Sequence, residues 1–278
     1  MQHSEGSFTG AHGANIYYQS WAPDDDPRAL ILISHGAAEH GGRYDIFAEH
    51  FVGKGYVVAA LDHFGHGKSD GGRCCLKRLD DHVTNLETFR ARVASSFPEL
   101  PQVLLGHSMG GLIACEYLLQ HQDKLAACVL SGPAIKTELV PPWHQVILLK
   151  LQSFFSPDSG AMQLDARGVS RIPEEVERYR NDPLNYTGML TARMVAELFR
   201  GMKRVQQRAG EIRLPVLLVH GGADQMTSPS GSKFLYEQVS SEEKGLHIYP
   251  GAYHEVFNEP EREQAFLDIE GWLSSLSI

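Results

Sequence analysis

Five short stretches of the chain are apolar at almost every position: residues 29–33, 56–61, 102–105, 127–130 and 216–219. Strands with one wet face alternate apolar and polar side chains, whereas unbroken apolar runs suit strands covered on both faces, as in a parallel sheet. Segments of helical periodicity separate these runs, and alternating strand and helix predicts a doubly wound α/β fold. Residues 15–21 read as an antiparallel edge strand, closed by the turn Pro23-Asp24-Asp25-Asp26-Pro27, and residues 246–249 as the last strand.

The rhythm stops between Pro133 and Leu214, where about 80 residues intervene, against a usual connection of about 4 to 6. The pattern therefore predicts a catalytic core made of residues 1–133 and 214–278, with residues 134–213 inserted as a helical cap. Within that insertion Trp143, Val146, Ile147, Leu151, Phe154 and Phe155 fall at helical spacing, and Leu148 and Leu149 widen the apolar face beyond an ordinary stripe. Such a helix either forms the core of the insertion or acts as a lid whose apolar side lines an acyl channel or touches lipid, and both can hold. A second helix is expected over residues 192–208.

Composition narrows the class. With 278 residues, 42% of them hydrophobic, the chain can bury one large core. Its net charge of −9 is spread along the sequence, without the basic stripe that neutralises a phosphate backbone, so nucleic acid is not an expected partner. The opening Met1-Gln2-His3-Ser4-Glu5-Gly6 lacks a basic then apolar leader, and no run approaches a membrane span. These features predict a cytoplasmic protein, with the cap face as the one candidate for transient contact with a membrane surface; they do not address oligomeric state. Cys74, Cys75, Cys115 and Cys128 show no C-x-x-C spacing and read as reduced thiols. Asn185-Tyr186-Thr187 matches a glycosylation sequon by chance if the chain stays in the cytoplasm.

Gly106-His107-Ser108-Met109-Gly110 is a G-x-S-x-G motif between the run 102–105 and a helical stretch from Leu112 onward. A tight turn there lifts the serine hydroxyl above the sheet, and the flanking glycines let strand and helix backbones approach. A serine is a weak nucleophile near neutral pH and needs a base, itself held in one tautomer by a carboxylate. In chain order those partners are Asp224, just past the run 216–219, and His254, a few residues past the run 246–249; both lie where ligand sites form on open α/β sheets. The plainer alternatives are a helix-cap or turn role for Asp224 and a loop histidine for His254, while His247, inside a strand, is the weaker base. The developing oxyanion needs two backbone N–H donors. Met109 can supply one, and the loop after residues 31–34 the other.

That loop reads His35-Gly36-Ala37-Ala38-Glu39-His40-Gly41-Gly42-Arg43-Tyr44. It resembles the H-G-A-G-E-H-x-G-R-Y segment of monoacylglycerol lipases, departing at Ala38, where the family has glycine. The resemblance continues through Asp62-His63-Phe64-Gly65-His66-Gly67-Lys68-Ser69, through the Ser108 motif and through Gly251-Ala252-Tyr253-His254, and thins in the insertion to Tyr179-Arg180-Asn181-Asp182-Pro183-Leu184. It implies an α/β-hydrolase fold and a Ser108–His254–Asp224 triad, with Ala37 and Met109 as oxyanion donors. It further implies that Glu39 and Arg43 order the polar end of the site and that His107 and Tyr179 meet the glycerol hydroxyls; for these four, a loop ion pair and ordinary packing are the competing readings.

The expected reaction is hydrolysis of a lipid ester, a monoacylglycerol first of all. Lysophospholipid or general carboxylester hydrolysis, aminopeptidase action, and a non-catalytic protein that uses the pocket as a receptor are the alternatives, since fold and triad do not choose a substrate. A dehalogenase would need a carboxylate at position 108. No cofactor is expected, because neither a G-x-G-x-x-G after the first strand nor a phosphate-binding loop occurs. No metal is expected either: His63 and His66 sit in a glycine-rich loop without a carboxylate or thiolate at ligand spacing.

Overall fold

A computed structural model describes residues 1–137 and 142–278. The Trp143 side chain, counted above on the apolar face of its helix, lies outside the described residues, as do positions 138–141 of the expected insertion. In chain order the elements are β1 (Gln2–Thr9), β2 (Asn15–Ala22), β3 (Ala29–Ser34), α1 (Asp45–Val52), β4 (Tyr56–Leu61), α2 (Leu79–Ala94), β5 (Gln102–His107), α3 (Met109–His121) and β6 (Ala127–Ser131). They continue with α4 (Trp143–Phe155), β7 (Gly160–Gln163), α5 (Pro173–Asn181), β8 (Met189–Thr191), α6 (Ala192–Arg208), β9 (Val216–Gly221), α7 (Pro229–Gln238), β10 (Lys244–Tyr249) and α8 (Arg262–Ser275).

Among the described residues, eight strands form one sheet in the order β1-β2-β4-β3-β5-β6-β9-β10. β1 and β2 run antiparallel, β2 joins β4 antiparallel, and the remaining neighbours are parallel. The chain is an α/β-hydrolase fold. The apolar runs mark the covered centre: every residue of β3, β4, β6 and β9 is buried. Alternate residues feed opposite layers, Leu30 and Leu32 packing with α2 and α3, Ile31 and Ile33 with α1 and α8.

Strand order reverses at β3, which has β4 on one side and β5 on the other. A crevice opens at such a switch point, beyond the carboxyl ends of the strands. The turns after β3, β5, β9 and β10 therefore converge there, carrying residues 35–44, Ser108, Asp224 and His254. Between β6 and β9 come α4, α5, α6 and the two-stranded sheet β7-β8, rather than another α/β unit. α6 packs on α2 and α3 through Met194, Val195, Leu198 and Val205, which belong to the same buried cluster.

Candidate active site

The turn between β5 and α3 is strained. Ser108 has φ 54° and ψ −117°, a conformation L-residues other than glycine seldom adopt. Its own N–H donates to Ser131 O, and its carbonyl accepts from Leu112 N and Ala134 N, so the surroundings hold the turn in place. The glycines are required by contact: a Cβ on Gly110 would lie 1.9 Å from Ser34 O. Met109 begins α3, so its N–H is one of the helix-start donors that no helical carbonyl can reach. Ser108, Met109 and Ala37 line one cavity of about 470 Å³. Its remaining wall is largely apolar, from Met162, Leu190, Leu198, Phe199 and Met226 among others.

His254 Nδ1 donates to Asp224 Oδ2 over 2.7 Å, and both side chains are buried. The carboxylate is saturated on every side. Oδ2 also accepts from Thr227 Oγ1 at 2.9 Å and from His220 Nε2 at 3.1 Å, while Oδ1 accepts the N–H groups of Met226 and Thr227. An ionised carboxylate only accepts, so His220 Nε2 donates to it and the Ser232 hydroxyl, 2.7 Å away, donates to Nδ1. Burial alone would raise the Asp224 pKa; the positive potential of His254 and the bonds from both imidazoles outweigh it and hold the group well below the usual carboxylate range. Burial likewise pushes His254 down, yet the charge of Asp224 and its hydrogen bond carry it above the ordinary histidine value. His220 and Thr227 were not singled out in the sequence. The available signal was their position, four residues before and three after the acid, on the strand end and turn that present it. His247, the weaker base candidate, is half-exposed on β10 beside Asp268, 3.5 Å away.

The loop after β3 is fastened from three directions. Glu39 Oε1 accepts from Gly36 N at 2.6 Å and from the Tyr44 hydroxyl at 2.9 Å, and Glu39 Oε2 from Arg43 at 2.9 Å. Arg43, itself buried, also grips Glu255, the residue after His254, through both of its terminal nitrogens, and its guanidinium lies 4.8 Å from the Tyr179 ring centroid. The second fastening is Asp62, whose carboxylate accepts from Gly41 N and Lys68 N. That gives the Asp62–Ser69 motif a structural meaning. The third comes from the segment between β6 and β9: Tyr179 Oη and Tyr186 N both donate to Ala38 O, and His40 Nε2 pairs with Asp182 at 2.9 Å. Ala38 needs this support. It sits at φ 64°, in the left-handed region where a glycine would rest without strain.

Of the four residues expected at the polar end of the site, Glu39, Arg43 and His107 surround a small recess of about 20 Å³ together with Glu255, separate from the lining of the large cavity. His107 and Tyr179 are buried as well, His107 Nδ1 donating to Ser131 O and Tyr179 Oη to Ala38 O. Glu255 was not singled out, because its partner Arg43 lies 212 positions away along the chain.

Behind the loop, His35, His63, His66 and His82 form a buried cluster of edge-to-face rings, with centroids 4.6 Å apart for His35 and His63 and 4.9 Å for His63 and His82. Neither ring nitrogen of His82 makes a hydrogen bond within the protein. Burial drives His66 down to about 4 and His82 to about 3, and lowers His35 and His63 strongly. Below the unfolded histidine value of about 6.5 the unfolded chain binds protons that the folded chain refuses, so stability falls as pH drops toward 4. The raised carboxyls of Asp62 and Glu116 and the raised imidazole of His254 act in the opposite sense. The urea midpoint is thus expected to fall steeply between pH 7 and 5, by a few kcal/mol in unfolding free energy; equal midpoints would contradict the neutral histidine cluster.

The family described as serine aminopeptidase, S33, matches residues 25–261. A monoacylglycerol lipase of Mycolicibacterium smegmatis is 40% identical over 272 residues, which cover 98% of this chain and 97% of that protein. The monoglyceride lipase of Homo sapiens is 33% identical over 270 residues, covering 95% of this chain and 88% of that one. Among solved structures, the monoacylglycerol lipase of Paleococcus ferrophilus is similar with a TM-score of 0.84 at 32% identity, covering 94% of this chain and 99% of that one.

Proposed function

The chain belongs to the serine aminopeptidase S33 family of α/β-hydrolases, and from that premise we propose that it is a monoacylglycerol lipase, releasing a fatty acid and glycerol through an acyl-enzyme on Ser108. The supporting observation is the placement of Ser108 on a strained turn at the wall of a largely apolar cavity, at the end of the crevice that holds the Asp224–His254 pair. His254 takes the Ser108 proton as the hydroxyl attacks the ester carbonyl, and the peptide N–H groups of Ala37 and Met109 donate to the oxyanion. His254 then returns the proton to the departing glycerol oxygen. Water, deprotonated by the same imidazole, frees the acid. Asp224 keeps Nδ1 protonated throughout, so Nε2 is the nitrogen that works. Glu39, Arg43 and Tyr179 serve the polar end of the site by holding residues 36–44 in register, Arg43 tying that loop to Glu255 beside His254, and the His107 ring packs against the His254 ring.

Residues 134–213 act as the cap in this reading. The outer side of α4 is bare: Leu148 is 63% exposed, Phe154 73% and Phe155 75%. No helix of the described residues is long and apolar enough to cross a membrane, so a surface of this kind suits shallow contact with a lipid interface that presents the substrate. Replacing Leu148 and Phe154 with aspartate is expected to reduce sedimentation with phosphatidylcholine vesicles several-fold, with turnover of a soluble short-chain ester unchanged. Vesicle binding at the original level would remove α4 from that role.

The substrate reading is tested by kcat/KM across 1- and 2-monoacylglycerols, a diacylglycerol, lysophosphatidylcholine and aminoacyl arylamides, with Ser108→Ala as blank. Preference for monoacylglycerols is expected. Preference for lysophosphatidylcholine or an arylamide would replace the substrate, and no turnover of any would favour a receptor that merely binds in the pocket.

A further inference from the structure

A second cavity, of about 690 Å³, opens between α4 and α6. It adjoins the cavity at Ser108, Thr137, Phe199 and Met202 lining both. Val146 and Leu149 of α4 face Phe199 and Met202 of α6 and make its walls apolar. Around them stand Lys136, Lys150, Arg200 and Lys203, and no carboxylate is among its described lining residues. In a chain of net charge −9 such a lining is a local reversal of sign. Arg200 is paired with Glu197 on its own helix, and Lys136 Nζ lies 4.3 Å from the Phe234 ring centroid. Lys150 and Lys203 are exposed and form no ion pair among the described residues.

We propose that this groove binds the product of hydrolysis, a single-chain fatty acid in its carboxylate form. The inference rests on the ester-hydrolase reading, since that reaction turns a neutral amphiphile into an anionic one. A carboxylic acid ionises near pH 4 and gains nothing from remaining against an apolar wall. The neighbouring groove offers the alkyl chain comparable apolar contact and offers the head group cations that a neutral ester cannot use. It thereby separates product from substrate by charge. Two exposed lysines supply modest attraction each, which salt weakens, as suits a site that must also release its ligand.

The test is isothermal titration of laurate into the Ser108→Ala protein at low salt, beside the same protein carrying Lys150→Gln and Lys203→Gln, with dodecanol as the neutral probe. Expected are a five- to tenfold weaker laurate affinity in the lysine variant, a similar weakening of the parent at high salt, and dodecanol binding that does not change. Laurate affinity equal in both proteins would overturn the proposal, as would an equal loss for dodecanol. If the lysine changes instead abolished binding to phosphatidylglycerol vesicles and left laurate untouched, the groove would serve a membrane surface and the proposal would fall. In the protein with Ser108 intact, the lysine variant should hydrolyse a soluble ester at the parent rate and resist inhibition by laurate. Absence of any ester hydrolysis, with laurate binding still dependent on the lysines, would count against the ester-hydrolase reading alone.

Discussion

Replacing Ser108 with alanine is expected to lower kcat/KM for monoacylglycerol by at least about 10³-fold, while thermal stability stays within a degree or two of the parent. The hydroxyl is the only group removed, and the hydrogen bonds recorded at position 108 are made by its backbone, to Ser131, Leu112 and Ala134. The strain at φ 54° is also a backbone property, which alanine shares. What disappears is the covalent path. The Asp224–His254 pair and the donors at Ala37 and Met109 remain, leaving direct attack by water as the residual route. Retention of more than a tenth of the activity would mean that another group makes the acyl bond or that none is made.

Arg43→Met is expected to destabilise the protein by about 3 to 5 kcal/mol. The guanidinium lies between two buried carboxylates, bonded to Glu39 at 2.9 Å and to Glu255 through both terminal nitrogens. With the cation in place, its charge and bonds outweigh burial and hold Glu255 down at about 2. Methionine fills much of the volume but leaves two buried negative charges without their cation, and one must protonate or the loop must open. Glu39 also carries the Gly36 N–H, so activity should fall together with stability. The double variant Arg43→Met, Glu255→Gln removes one of the stranded charges and should recover part of the loss. Urea unfolding at pH 7 measures both; a loss below about 1 kcal/mol for the single variant would show that this network carries little of the loop.

What could be read from the sequence, and what could not, follows from how far apart interacting residues lie. β3, β4, β6 and β9 are buried on both faces, so apolar continuity alone revealed them. α6 was legible to its ends because one face packs on the core and the other is wet. β1 was not: its residues Gln2–Thr9 are mostly exposed and pair along one edge only, which leaves no hydrophobic signature. β7 and β8, of 4 and 3 residues, are too short for a period to register. α4 showed an excess of apolar positions, and the structure divides them: Val146 and Leu149 line the inner groove, while Leu148, Leu151, Phe154 and Phe155 remain outside.

The candidate site divides in the same way. Ser108, Asp224 and His254 each stand just beyond a recognisable strand, so motif and order sufficed to single them out, and the fold brings the last two to 2.7 Å. Of the side chains that hold them and the loop after β3, Glu255 had no local pattern, because its partner Arg43 lies 212 positions away; His220 and Thr227 stand four residues before and three after Asp224, and Asp62 opens a family-like stretch, but what each bonds follows only from the fold. The Tyr179–Leu184 fragment, the one part of the insertion with a family likeness, gains its reason here: Tyr179 and Asp182 reach across to Ala38 and His40 and hold the loop after β3.

The central claim is that Ser108 is the acylated residue of an enzyme whose substrate is a monoacylglycerol. Its most direct test is labelling of the folded protein with a fluorophosphonate, followed by peptide mass spectrometry, with and without a non-hydrolysable 1-monoacylglycerol ether as protector. The account expects one label per chain, on the peptide that carries Ser108, slowed by the ether in proportion to its concentration. Labelling at a different serine, no labelling of a protein that hydrolyses esters, or a rate indifferent to the ether would contradict it.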